Sequence, residues 1–156
     1  MLFLRETNRL CSAALLAATL TVVGPVNAQS VLDGDTISVE GRIWRLWGIE
    51  APGTTQLCGD GWAAGDRAIA FLQSLVHDRV IGCEFRGRDG TDVAIGLCRA
   101  DETDLGAAMV MAGMAWALTP DSVDYVPQEA EANARGLGVH AHDCLPPWSE
   151  RTDNER

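Results

Sequence analysis

Hydrophobic and polar positions alternate in short runs through the first third of the chain, then recur at helical spacing. Val31-Leu32 and Thr36-Ile37-Ser38-Val39 are rich in β-branched residues, and Ile43 to Ile49 is a longer apolar stretch carrying Trp44 and Trp47. Three short strands are expected there. From Trp62 the period changes: Ala68, Phe71, Leu72, Leu75 and Val76 predict a helix of about four turns ending at His77. Val80–Phe85 and Val93–Cys98 then read as two strands around the turn Arg88-Asp89-Gly90-Thr91. Leu105, Ala108, Met109 and Ala112 mark a second helix, with Thr103 or Asp104 near its start and Gly113 near its end. A third begins around Pro127 and stops at Gly136. Strands first and helices later give a mainly β domain with helices, α+β in class.

The N-terminus follows a different pattern. Arg5 and Arg9 precede an uncharged apolar run from Leu10 to Val23, and Val26-Asn27-Ala28 offers small residues for a signal peptidase. The run is short for a membrane span. The expected organisation is a signal peptide over 1–28, one domain over 29–144 and a polar tail over 145–156, with the mature chain periplasmic or secreted. Removing the leader takes Cys11 with it and leaves Cys58, Cys83, Cys98 and Cys144. An even number in an exported chain favours two disulfides, with three possible pairings. Cys83 and Cys98 fall on neighbouring strands of one hairpin, so the expected pairs are Cys83–Cys98 and Cys58–Cys144.

Charge limits the choice of partners. The chain has 12 basic and 22 acidic residues, and every basic one is arginine. Arg5, Arg9 and Glu6 leave with the leader, so the rest carries 10 arginines against 21 acids, a net of −11. A surface this negative repels polyphosphate and forgoes counterion release, which disfavours nucleic acid as a partner. No protein partner is named by the sequence, and stable membrane association is not expected after cleavage.

The candidate chemistry lies in Leu32-Asp33-Gly34-Asp35-Thr36 and Arg45-Leu46-Trp47-Gly48-Ile49-Glu50-Ala51-Pro52-Gly53. With Val39-Glu40-Gly41 as a three-residue hairpin loop, Asp35 falls opposite Arg45 and the two share a face. Strict alternation sends Glu50 to the other face, so a common site needs a bend or bulge at Gly48. A plainer reading makes Asp33-Gly34 a turn and Asp35 with Arg45 a structural ion pair.

Short strands with helices inserted and appended suggest a small, partly open five-stranded barrel of the OB type with three helices. Within that frame, Asp33-Gly34-Asp35-Thr36, Arg45-Leu46 and Gly48-Ile49-Glu50-Ala51-Pro52 resemble the signature of the staphylococcal-nuclease (thermonuclease) family. Leu105-Gly106, Met109-Val110, Gly113-Met114-Ala115, Tyr125, Glu129, Ala134-Arg135 and Gly138 agree in order and spacing, so the resemblance spans Val31 to His140. It implies Ca2+-dependent hydrolysis of phosphodiester bonds in DNA and RNA. Asp35 and Glu50 match the metal-binding carboxylates, with the Ala51 carbonyl as a further ligand, and hard oxygen donors suit calcium. Arg45 matches an arginine that pairs with the scissile phosphate.

Two family positions are filled differently. The general-base glutamate is replaced by Gly53, which cannot accept a proton. An aromatic-Gly-Arg run follows the aspartate matched by Asp89, and its glycine and arginine align with Asp92 and Val93; Val93 cannot donate to a phosphate. Losing both is expected to cost several orders of magnitude in rate. Arg86 or Arg88 at the phosphate, or Asp60 or Glu84 at the water, would be a rescue that no spacing favours. Elsewhere, His140-Ala141-His142-Asp143-Cys144 holds metal-ligand types without a second pair at zinc spacing. Met109, Met111 and Met114 read as helix packing. At most one of Trp44 and Trp47 faces a base-stacking groove, and Trp116 is expected to cap a helix end in the core. Two readings follow: an exported nuclease of weak or lost activity, or a non-catalytic binding or structural module in the periplasm on the same fold.

Overall fold

The computed structural model describes residues 29–149 of the chain. The expected signal peptide lies outside them. Eight strands and three α-helices follow in the order β1 (Gln29–Val31), β2 (Thr36–Val39), β3 (Arg42–Leu46), β4 (Ile49–Glu50), α1 (Ala64–Val76), β5 (Ile81–Arg88), β6 (Ala94–Ala100), β7 (Thr103–Asp104), α2 (Leu105–Met111), β8 (Trp116–Ala117) and α3 (Val126–Ala134), with a 3-10 turn at Gly138–His140. The class is α+β.

The main sheet runs β1-β2-β3-β6-β5, with β7 added to β6; β1 and β5 stand at its two ends. Its pairs are antiparallel except β3 with β6, which is parallel. Parallel neighbours require a crossover, and α1 and β5 lie between them in the chain. A second, two-stranded sheet joins β4 to β8. Both β4–β8 and β7 are two-residue elements that no periodicity announces, and Trp116 sits in β8 and not at a helix end.

The β2–β3 hairpin corrects the expected register. Val39 pairs with Arg42, leaving Glu40 and Gly41 as a two-residue loop with φ of 52° and 79°. Positive φ at both central residues matches the twist of a tight hairpin, so the shorter loop prevails over the three-residue one. Arg45 therefore pairs with Thr36, not Asp35. The expected Ile43–Ile49 strand also breaks at Trp47-Gly48, where Gly48 adopts φ 70°. A side chain at 48 would in addition meet the Tyr125 ring at 3.2 Å.

Helix α1 buries Ala64, Ala68, Leu72 and Val76 at i, i+4 spacing, and the last three join the core. Ile37, Trp44, Leu46, Ile49, Leu72, Leu105, Met109 and Val110 join in one core with Tyr125. Helix α2 is capped by the Asp104 carboxylate, which accepts the Ala107 N–H at 3.1 Å. The same carboxylate receives the Tyr125 hydroxyl at 3.1 Å. Disulfides join Cys83 to Cys98 across the β5–β6 ladder and Cys58 to Cys144 across 86 positions of sequence. Of the expected polar tail, residues 145–149 are described and lie against the domain, with Trp148 edge-on to Trp116. Among the described residues no helix is long and apolar enough to cross a membrane.

Candidate functional site

Asp35 begins the site because its carboxylate is buried where a carboxylate has no apolar reason to be. Among the described residues it is the one polar or charged side chain in the buried class, 6% exposed. Gly34 explains how it gets there. A Cβ at 34 would fall 2.6 Å from that of Ala51 and 2.9 Å from that of Ala68, so only glycine lets the acidic turn press onto α1 and the chain after β4. The Asp33 carboxylate accepts the Asp35 N–H at 3.0 Å and shapes the turn. Asp35 in turn accepts the Ala51 N–H at 2.9 Å and the Thr36 hydroxyl at 3.0 Å.

The bend at Gly48 returns Glu50 to the face of Arg45. Arg45 Nη2 lies 3.0 Å from Glu50 Oε2 and 3.7 Å from Asp35 Oδ2, and Nη1 lies 3.9 Å from Asp89 Oδ2. One guanidinium thus stands among three carboxylates that the sequence supplies from three separate elements. Asp89 is the member that spacing did not place there. Its Oδ1 accepts the Thr91 N–H at 2.9 Å, the Thr91 hydroxyl at 2.8 Å and the Val93 N–H at 3.0 Å, which fixes Oδ2 toward Arg45. The detectable signal was the Asp-Gly-Thr turn itself, an Asx-type motif at a hairpin end.

Burial pushes the Asp35 carboxyl up to about 6, against the pull of Arg45 and of the Ala51 hydrogen bond, and Asp33 adds to the rise. Burial works against the Arg45 charge as well, but Asp35, Glu50 and Asp89 outweigh it and hold that group above its usual value. Asp89 is held below the usual carboxylate range by the Thr91 hydroxyl and N–H and by the Val93 N–H.

Asp35, Arg45, Glu50 and Ala51 line a cleft of about 160 Å³ with Asp33, Pro52, Gly53, Thr54 and Pro147, while Asp89 lies outside its lining. Gly53 sits at its edge with its N–H donated to Gln56 Oε1 at 3.0 Å, and no proton acceptor projects from that position. Val93 lies outside the cleft lining. Arg86 is turned to Glu84 at 3.4 Å and Arg88 to Asp92 at 3.5 Å, while Asp60 is engaged by His142 at 2.7 Å. None of Arg86, Arg88, Asp60 and Glu84, the groups that might have replaced the missing base or arginine, lines the cleft. Trp44 is core and Trp47 gives its indole N–H to Asp124 at 3.1 Å. Met109 is buried and Met111 exposed. A wider groove lined by Gln29, Val76 and Arg79 borders the start of the described residues and gathers no comparable chemistry.

In kind, the Asp35 and Glu50 carboxylates and the Ala51 carbonyl fit a hard divalent ion. In number they are sparse, and water would have to complete the shell. Among the described residues no group of three His, Cys, Asp or Glu side chains is disposed to hold a metal ion.

No protein-family model matches the chain. Over 143 residues it is 29% identical to the succinoglycan biosynthesis protein ExoI of Rhizobium meliloti (strain 1021), an alignment that covers 86% of this chain and 75% of that protein.

Proposed function

We propose that this chain is an exported, thermonuclease-like domain of the OB type whose Asp35–Arg45–Glu50 cleft keeps a calcium- and phosphate-binding arrangement, with phosphodiester hydrolysis weak or lost. One observation carries the reading: Arg45 reaches Asp35 and Glu50 at 3.7 and 3.0 Å across the bend at Gly48. A structural ion pair needs one carboxylate, and a second and third around the same guanidinium add repulsion that folding alone does not repay. Asp92 adds support. It stands where the family's glycine would, and its φ of 70° is in the left-handed region that glycine favours. Asp35, Glu50 and the Ala51 carbonyl would hold calcium, which would supply charge neutralisation for a bound phosphate. Arg45 would bind and orient the phosphate by its fork, and Asp89 would hold Arg45 in place.

The test is hydrolysis of single-stranded DNA by the oxidised 29–156 protein, with calcium and with chelator, beside Asp35→Ala and a Gly53→Glu/Val93→Arg double variant. A Cβ at 53 has its nearest neighbour at 4.0 Å, so the glutamate can be seated. Little or no cleavage by the natural protein is expected. A calcium-dependent gain of at least about a hundredfold is expected in the double variant, from a restored base and a restored donor. No gain there would remove the reading.

A second reading keeps the fold and drops the chemistry: a non-catalytic periplasmic module. Gly53 favours it, and so does the relative's name, which speaks of succinoglycan biosynthesis. Loss of calcium binding in every assay, with the fold intact, would favour this second reading over the first.

A further inference from the structure

The main sheet ends at β1 on one side and at β5 on the other, and the two edges differ. β1 is three residues long, and its Gln29 side chain is tied inward, donating to the Val76 and Arg79 carbonyls. β5 is eight residues, the longest strand of the sheet. Among the described residues its backbone pairs with β6 on one side and with no strand on the other. The sheet face beside this edge is uncovered too, since a Cβ at Gly82 or at Gly87 would meet nothing within 4 Å.

Three consecutive exposed side chains stand at the middle of the edge, Glu84, Phe85 and Arg86. Phe85 is 53% exposed, high for an aromatic ring. Charges normally guard an edge, because an incoming strand would have to take them unpaired. The bulge after Phe85, where the β5–β6 register passes over Arg86, is a second common guard. Here, however, the two charges are opposite in sign and placed symmetrically about one residue. They also share a side of the strand, with Arg86 Nη2 3.4 Å from Glu84 Oε1.

We propose that the β5 edge is a self-association surface, through which two copies of this chain pair antiparallel about a two-fold axis at Phe85. The proposal is independent of the calcium- and phosphate-binding reading.

Charge complementarity selects a second copy as the occupant. A two-fold axis at position 85 sets position 84 of each strand opposite position 86 of the other. Each Glu84 then faces the partner's Arg86, so the four groups form a square of alternating sign, and Phe85 packs against its own copy. The same charges fix the register. Moving the axis to 84 sets glutamate against glutamate, and moving it to 86 sets arginine against arginine, both destabilising. A strand without this pattern leaves the charges unmatched, so the guard excludes other partners. One short ladder buries little area, which puts the contact in the weak class. The negative net charge of the chain opposes it further, but at about 0.15 M salt that repulsion is screened beyond about 8 Å while the facing pairs stay in contact.

Sedimentation equilibrium decides the matter, run on the oxidised 29–156 protein with chelator at about 0.15 M salt, up to about 1 mM protein. Four proteins are compared: the natural chain, Glu84→Arg, Arg86→Glu and Glu84→Arg/Arg86→Glu. The natural chain is expected to dimerise with a dissociation constant on the order of 100 µM. Each single variant should weaken the dimer at least about tenfold, and the double variant should return to within about threefold of the natural value. Net charge alone would give another pattern. Glu84→Arg makes the chain less negative by two charges and Arg86→Glu more negative by two, so the single variants would move in opposite directions. That result overturns the proposal. So does a natural chain that stays monomeric throughout, a dimer that neither single variant weakens, or a double variant that fails to restore it. All the substituted side chains are exposed, and thermal unfolding of each variant checks that its fold is unchanged.

Discussion

Asp35→Asn should raise the stability of the metal-free protein at neutral pH and lower it in acid. The carboxyl is shifted from 3.8 to about 6 by burial, so above pH 6 the folded state carries an ionised group it would bind more weakly than the unfolded chain does. A raised carboxylate favours the fold fully below pH 3.8, and that advantage drains away as pH climbs through about 6. The displacement corresponds to about 3 kcal/mol of stability forgone at pH 7.5. Asparagine removes the charge but keeps only one acceptor, so either the Ala51 N–H or the Thr36 hydroxyl loses its partner, at about 1 kcal/mol. The balance is a gain of about 1–2 kcal/mol at pH 7.5, read as a Tm higher by about 2–4 °C per kcal/mol for a chain of this size. At pH 4 only about 0.5 kcal/mol of the charge penalty is left, so the lost hydrogen bond outweighs it and the variant should be less stable by about 0.5 kcal/mol. Thermal and urea denaturation with chelator at the two pH values measure both numbers. Adding calcium at a hundred times its dissociation constant should then stabilise the natural protein by about 2.7 kcal/mol and the variant by far less. A variant that is less stable by the same amount at both pH values would refute the argument, because Asp35 would then be an ordinary structural acceptor.

Calcium and the proton should compete for Asp35. Calorimetric affinity is expected to fall about tenfold per pH unit below about 6, and a flat profile from pH 7.5 to 5 would exclude Asp35 as a ligand. Gly96→Ala places a Cβ 2.6 Å from Trp44 Cε3 in the core, so it should cost about 1–3 kcal/mol in urea unfolding; no cost would mean the indole can move aside. Cys83→Ser/Cys98→Ser opens a link between positions 15 apart and should lower stability by about 3 kcal/mol, measured as a shift in urea midpoint at unchanged slope.

What the sequence announced was whatever rests on local period and on chemistry. The apolar face of α1 recurs at i, i+4 and its helix ends one residue before His77, while Asp104 and Gly113 bracket α2 as a cap and a left-handed stop. Both disulfide pairs follow from placing Cys83 and Cys98 on adjacent strands. The bend at Gly48 was readable as a need of the site before it was seen as a φ of 70°. The failures are of a different kind. Glu40 in the left-handed region is a choice made by hairpin twist, which shifted the pairing of Arg45 by one residue. Asp33-Gly34-Asp35-Thr36 nonetheless brings Asp35 to Arg45, because the side chains reach across the offset. Strands β4, β7 and β8 are two residues each and exist only through their partners, so no window of sequence carries their signal. The closure expected of a five-stranded barrel is likewise a tertiary property, and the sheet's hydrogen-bonded path ends at β1 and β5. Asp89 joined the site from a turn whose position depends on the β5–β6 ladder and its bulge after Phe85.

Charge fixes the order in which this cleft can fill. Asp35, Glu50 and Asp89 lie within 4 Å of Arg45, and Asp33 lines the same cleft, so four carboxylates face one guanidinium. A phosphate arriving alone meets this negative excess, and the fork that should receive it is already turned to Glu50. Arg45 can face a phosphate only when Glu50 and Asp35 have another positive charge to hold. Phosphate binding is therefore expected to require a divalent cation, not merely to be strengthened by it. Titrating inorganic phosphate into the oxidised protein should give no heat with chelator and a saturable signal with calcium. In Glu50→Gln, where the fork is released, weak calcium-independent binding should appear. Phosphate that bound the natural protein equally well with chelator would mean that Arg45 is not held by its carboxylates, and that the arrangement around it serves something other than a metal-bridged anion.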